Sequence, residues 1–174
     1  MRRNPFPNRS AKLPKNKPDP DSLFSSILKF LSFRPRSWQE VNQYLLSKTD
    51  DSAQVQKIIK RLERSGLVND NEFATWLVAS RSRTRPRSIF LLKKELLSFG
   101  ISPEIVTDVL SSQDDMLQAQ KVLSRKLGTW SHLSRLQFRT KTYGLLARRG
   151  FSSSVIEATI KKAYNTSDVN WESI

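Results

Sequence analysis

Three stretches of this chain repeat one another at a nearly constant interval, and that interval limits the fold more than any other property of the sequence. Arg36-Ser37 through Leu45-Leu46-Ser47-Lys48-Thr49 aligns without a gap on Arg87-Ser88 through Leu96-Leu97-Ser98-Phe99-Gly100, at an offset of 51. Leu96-Leu97-Ser98-Phe99-Gly100-Ile101-Ser102 aligns in turn on Leu146-Ala147-Arg148-Arg149-Gly150-Phe151-Ser152 at an offset of 50, and Ile105-Val106 stays in register with Val155-Ile156. Amphipathic helices resemble each other by chance, but shared turn chemistry at a constant offset does not follow from amphipathicity. A unit of about fifty residues is too small to bury much surface alone, so repeated units stack and cover one another.

Within each unit the apolar residues recur at helical spacing. Val55, Ile58, Ile59 and Leu62 fill the i, i+3, i+4, i+7 positions, and similar stripes run from Leu23 to Ala163. No segment alternates with period two for long enough to make a strand. Start and stop residues divide the pattern into about nine short helices. Ser37 with Glu40 is a capping box, Asn69 with Glu72 resembles one, and Ser102-Pro103-Glu104 places a cap, an N1 proline and an early acid in order. Gly66, Gly100 and Gly150 stand where left-handed residues end helices. The expected fold is all-α, three tandem three-helix repeats in a curved, elongated array. The expected divisions are a disordered basic arm over 1–21, repeats over 22–68, 69–113 and 114–165, and a short tail over 166–174, where Trp171 could anchor on a neighbour.

Composition excludes several functions. The 174 residues contain no cysteine and a single histidine, His132, so disulfides, thiolate metal sites and a Ser/His triad have nothing to be built from. His132 is expected in a turn or at a helix start. The five glycines are too scattered for a phosphate-cradling loop. The acidic clusters Asp50-Asp51, Asp70/Glu72 and Asp114-Asp115 fall at expected helix starts, where they complement free N–H groups and the helix dipole. No metal, no cofactor and no catalytic residue is expected. No apolar run reaches the roughly 18 residues that span a bilayer, and the basic N-terminus lacks the apolar core of a signal peptide. A monomeric cytoplasmic protein without membrane contact is the expectation.

Charge supplies the positive statement. Thirty Lys and Arg against sixteen Asp and Glu give a formal charge of +14, which calls for a polyanionic partner. Two segments concentrate it. Arg81, Arg83, Arg85 and Arg87 alternate with small or turn residues and are followed by Lys93 and Lys94. From Met116 to Ile156 there is no Asp or Glu, while Arg125, Lys126, Arg135, Arg139, Arg148 and Arg149 stand there with Lys121 and Lys141. These two groups are the candidate contact rims, and the solubilising face is the plainer reading of both. The aromatics Trp76, Phe90, Phe99, Phe138 and Tyr143 fall on apolar stripes and are expected in the core. Contacts to phosphates of single- or double-stranded DNA, without base readout, are therefore expected.

The stretch Gly66-Leu67-Val68-Asn69-Asp70-Asn71-Glu72-Phe73-Ala74-Thr75-Trp76-Leu77-Val78-Ala79-Ser80-Arg81 resembles the central signature of the RecX regulatory proteins. Arg87 to Leu96, with Lys94-Glu95-Leu96, resembles the helix that follows it in that family. Arg34-Pro35-Arg36-Ser37 and Leu146-Ala147-Arg148-Arg149-Gly150-Phe151-Ser152 fit in order and spacing. The departures are Thr49 where the family often has glycine, Asn69 in place of an acid, Pro86-Arg87-Ser88 before the fifth helix, and a longer basic arm. The resemblance implies binding to the RecA recombinase filament and restraint of its ATPase, strand-exchange and coprotease activities, with no enzyme chemistry. The alternative is a stand-alone DNA- or RNA-binding protein; a membrane-surface role is the weakest of the three.

Overall fold

A computed structural model describes residues 19–165, which form nine helices and no strand. In order they are α1 (Pro20–Leu31), α2 (Trp38–Lys48), α3 (Ser52–Arg64), α4 (Asp70–Thr84), α5 (Ile89–Ser98), α6 (Pro103–Leu110), α7 (Asp115–Trp130), α8 (Arg135–Ala147) and α9 (Ser153–Asn165). The basic arm over 1–18 and the tail with Trp171 lie outside the described residues. Pro20 and Asp21, read from sequence as part of that arm, belong to α1, because the Asp19 carboxylate accepts the Ser22 N–H and Pro20 supplies a preset first turn.

Helix boundaries follow local chemistry. Ser37, Asp51, Asn69, Ser88, Ser102, Asp114 and Ser134 each accept a backbone N–H of the turn they open. Ser37 with Glu40 and Ser134 with Gln137 make complete reciprocal capping boxes. At the other end α3, α5 and α8 stop at Gly66, Gly100 and Gly150. Helix α2 stops differently: Thr49 is extended at φ −141°, and its Oγ1 accepts the Asp51 N–H, so the chain passes straight into the cap of α3.

Every extensively packed helix pair lies inside a triplet: α1–α2–α3, α4–α5–α6 or α7–α8–α9. Leu23, Ile27, Val41, Leu45, Val55, Ile59 and Leu62 close the first core, with Phe30 stacked on Tyr44 at 4.3 Å. Phe73, Leu77, Leu92, Leu96, Ile101 and Val106 close the second, with Phe99 edge-on to Phe73 at 5.2 Å. The third divides into one cluster around Val122, Leu146, Ile156 and Ile160 and another around Leu123, Leu133 and Phe138. Each buried aliphatic of this size contributes about 1.5–3 kcal/mol relative to exposure. The stripes overreach twice. Phe90 is 57% exposed beneath the Lys94 ammonium, and Tyr143 is 39% exposed with its hydroxyl on Ser153 Oγ, so neither is core.

Neighbouring triplets meet through a recurring joint at the start of the middle helix. In the pairs Asn69-Asp70 and Asp114-Asp115 the first residue caps its own helix, and the second reaches back to the preceding triplet. The Trp38 N–H donates to Asp70 Oδ1 at 2.8 Å, and the Ile89 N–H donates to Asp115 Oδ1 at 2.7 Å. A helix start that would leave N–H groups orphaned is thus completed by the next unit.

Candidate nucleic-acid interface

The tetrapeptide Arg-Pro-Arg-Ser opens both joints, at 34–37 and at 85–88, and the two copies sit in different electrostatic settings. In the first, Arg34 clasps Glu40 with both terminal nitrogens (2.5 and 3.1 Å), and Arg36 reaches the same carboxylate at 3.3 Å. Arg36 also lies over the Phe30 ring at 3.9 Å, and Arg34 faces Trp76 and Phe73 of the next unit at 5.4 and 5.8 Å. The Ser37 N–H donates to Glu40 Oε2. Charge and donors at this joint are satisfied largely by one acid.

In the second copy the position equivalent to Glu40 is Leu91. The Ser88 N–H therefore crosses to the next unit and donates to the Arg149 carbonyl at 3.0 Å. Arg87 turns to Glu95 on α5 (3.0 Å), which Arg81 from α4 also grips through Nε and a terminal nitrogen. These bonds hold the Arg81 guanidinium above its usual range. From the third triplet, Arg125 on α7 donates to the Thr84 and Arg83 carbonyls at 3.1 and 2.7 Å, and Arg149 donates to the Pro86 carbonyl at 2.8 Å. Burial, and then the charges of Arg85, Arg125 and Arg87, hold Arg149 below the usual guanidinium range. Arg85, Arg87, Arg125 and Arg149 thus form one cationic cluster across the joint.

The remaining sequence candidates are dispersed. Arg83, Lys93, Lys126 and Arg148 are exposed and make no ion pair among the described residues. Lys94 lies 4.5 Å above the Phe90 ring, and Arg135 lies 4.6 Å above the Tyr164 ring. Arg139 pairs with Glu157 at 2.8 Å, both exposed, just past the end of the acid-free stretch. His132 is exposed in the turn between α7 and α8. Sequence reasoning did not single out Glu95 as an anchor or the placement of Arg125 and Arg149 on the 83–86 connector. One sequence signal was present: the repeat alignment already sets Leu91 on Glu40, and extending it by two residues sets Arg85 on Arg34. Among the described residues there is no grouping of three or more metal-ligating side chains and no helix long and apolar enough to cross a membrane.

Comparison with known proteins bears on these features. The family model described as RecX, third three-helix domain, matches residues 113–160, which take in α7, α8 and the first part of α9. A "Regulatory protein RecX" from Chlorobium phaeobacteroides (strain BS1) is 30% identical over 148 residues, covering 85% of this chain and 97% of that protein. Proteins of the same name from Oceanobacillus iheyensis and Bacillus subtilis (strain 168) are each 30% identical, over 154 and 152 residues, and the match covers 57% and 58% of them. This chain therefore spans little more than half the length of those two. Among solved structures, the crystal structure of RecX from Lactobacillus salivarius superposes with a TM-score of 0.69 at 23% identity, over 84% of this chain and 97% of that one. A second structure, of a regulatory protein RecX, superposes at 0.65, also at 23% identity, over 82% and 71%. These likenesses show the fold, and the near-complete match to the Chlorobium protein shows the family: this chain belongs to the RecX regulatory proteins.

Proposed function

We propose that this protein binds along a RecA-type recombinase–DNA filament and restrains its ATPase, strand-exchange and coprotease activities, acting in recombination and repair and in the associated SOS response. Family membership supports the partner. The observation that carries the physical side is the arginine cluster at the second joint, where Arg85 and Arg87 of one unit meet Arg125 and Arg149 of the next and, of the four, Arg87 alone pairs with a carboxylate, Glu95, among the described residues. A tandem array whose packing is confined to nearest neighbours can follow a helical groove, and cationic faces are drawn to DNA phosphates and acidic protein surface. The proposed action is occupancy of the filament, with no covalent step.

The test is single-strand-dependent ATP hydrolysis by RecA with increasing amounts of this protein. Hydrolysis is expected to fall as the protein approaches the filament's binding capacity, and an unchanged rate at several-fold excess refutes the proposal. Charge reversal at Arg83 and Lys93, which hold no carboxylate, weakens the restraint while circular dichroism stays unchanged. The second reading is a stand-alone nucleic-acid binder, favoured by the same cluster. Tight sequence-specific binding to duplex without recombinase selects it. Non-specific binding that neutralises about five phosphates instead gives a log K against log salt slope near −4.

A further inference from the structure

We propose that the joint between the second and third triplets is a phosphate site: Arg85 and Arg87 from one side and Arg125 and Arg149 from the other hold a backbone phosphate of a nucleic acid, and the bound phosphate locks the two triplets together. This deepens the reading above by placing the nucleic acid at one joint and by giving it an effect on the array. It does not involve recombinase.

The site is built from pinned groups. Arg125 is fixed by the carbonyls of Arg83 and Thr84, and Arg149 by that of Pro86, which is buried. A guanidinium carries five N–H donors in a rigid plane, so both retain donors beyond those bonds. Arg85 is exposed; its backbone N–H closes α4 on the Arg81 carbonyl, while its guanidinium makes no hydrogen bond among the described residues and can swing onto a ligand. Two carboxylates are bonded at this joint: Asp115 accepts the Ile89 N–H and Glu95 is shared between Arg81 and Arg87, and neither pairs with Arg85, Arg125 or Arg149. Burial first, and then repulsion from Arg85, Arg125 and Arg87, holds the Arg149 guanidinium below its usual range, and an anion would relieve the second of these. Guanidinium forks match the paired oxygens of a phosphodiester bidentately. Arg83, Lys93 and Arg148, on the segments that flank the cluster, extend the positive field beyond one anion, which suits a polymer of phosphates better than an isolated ion.

The locking follows from where the four arginines originate. The polar links across this joint are the Ser88 N–H to the Arg149 carbonyl, the Ile89 N–H to Asp115, and the arginine–carbonyl bonds. A phosphate held from both sides adds charge-assisted bonds across the same joint. The first joint has no equivalent, because Glu40 occupies Arg34 and Arg36 there.

Amide hydrogen exchange on the full chain tests this directly. It is run with a twelve-residue oligothymidylate, with inorganic tripolyphosphate at matched ionic strength, and with an oligoglutamate peptide. The oligonucleotide at ten times its dissociation constant is expected to slow exchange at Ser88 and Ile89 about tenfold, with Trp38, bonded across the first joint, unchanged. Arg85→Met abolishes the slowing and lowers the salt slope of oligonucleotide binding by about 0.7. Lys60→Met, an equal charge loss on α3, leaves the slowing intact. Equal slowing at Trp38, slowing that survives Arg85→Met, or slowing produced only by tripolyphosphate or only by oligoglutamate each overturns the proposal. Restraint of recombinase by the unaltered protein, with no slowing of Ser88 and Ile89 by the oligonucleotide, would sink this site and leave the filament reading standing. Intact slowing by oligonucleotide with no effect on recombinase would do the reverse.

Discussion

Replacing Gly150 with alanine tests the joint between the second and third triplets through its backbone. Gly150 ends α8 at φ +82°, and a Cβ placed there stands 2.5 Å from Leu91 Cγ and 2.6 Å from Ser88 Oγ. Three effects add. An alanine in the left-handed region is disfavoured by about 1–2 kcal/mol. Its stiffer unfolded chain returns about 0.4–1 kcal/mol. The contact with Ser88 and Leu91 adds overpacking, about 1–3 kcal/mol in a closed site. The site is closed because Ser88 is fully buried and caps α5, and because the adjacent Arg149 carbonyl is bonded to the Ser88 N–H. Gly150→Ala is therefore expected to cost about 1–5 kcal/mol, centred near 3. Gly66→Ala is the matched control: φ is +67°, but a Cβ there meets nothing within 4 Å, so only the backbone effects remain and the cost is at most about 1.5 kcal/mol. Urea melts followed by circular dichroism give both values, and in a thermal melt each kcal/mol lowers Tm by about 2–4 °C for a chain of this size. If Gly150→Ala costs no more than Gly66→Ala, the joint is not packed as described and the reasoning about it fails.

Two further variants probe the polar side of the joints. Burial outweighs the Trp38 hydrogen bond and raises the Asp70 carboxyl above its ordinary value. A carboxyl raised on folding binds more protons folded than unfolded, so stability falls as pH rises from the ordinary carboxylate range through the folded value. Asp70→Asn should flatten that slope while keeping an acceptor for the Trp38 N–H, whereas Asp70→Ala should lose about 1–3 kcal/mol at neutral pH; equal losses in the two variants refute the account. Leu91→Glu should rebuild at the second joint the acid of the first, weakening oligonucleotide binding severalfold relative to Leu91→Gln, which offers the same cap without charge. Equal affinities for the two would show that the cluster's charge is not what binds.

What the sequence made legible is what local chemistry decides. The Ser37–Glu40 box, the Ser102-Pro103 start and the left-handed glycines at 66, 100 and 150 depend on residues within a turn of each other, so spacing alone finds them. Stripe counting places Phe73 and Phe138 in cores correctly, but it assigns a face without showing what covers it, and Phe90 and Tyr143 are left in solvent. The cross-unit bonds were illegible for a different reason. Asp70 and Trp38 are 32 residues apart, and Arg149 and Pro86 are 63 apart, so the contacts exist only after triplets have stacked. The two basic segments looked like separate rims for the same reason. Stacking brings Arg125 and Arg149 onto the connector that carries Arg85 and Arg87, while Arg135 and Arg139 find Tyr164 and Glu157 inside their own unit.

The two Arg-Pro-Arg-Ser copies show how a repeat protein can give equivalent positions unequal work. Their backbones make the same joint: a serine cap, an aspartate from the next unit on the following N–H, and a close approach by the next glycine turn. The difference lies in the residue three positions after the serine. With glutamate there, both arginines pair with one carboxylate of their own triplet and the serine N–H bonds to it too, so from the next triplet the joint takes the Asp70 acceptor and ring contacts to Arg34. With leucine, the serine N–H turns to the next triplet, one arginine must borrow Glu95 from α5, and Arg85 is left with no bonded carboxylate. Removing one carboxylate thus exchanges a joint whose serine and arginines bond within their own triplet for one that leans further on its neighbour and carries uncompensated charge. Folding does not require that charge, because the glutamate version holds the first joint together in the same chain. On the proposal above, its use lies outside the fold, with a polyanion, and the second joint couples binding to the shape of the array.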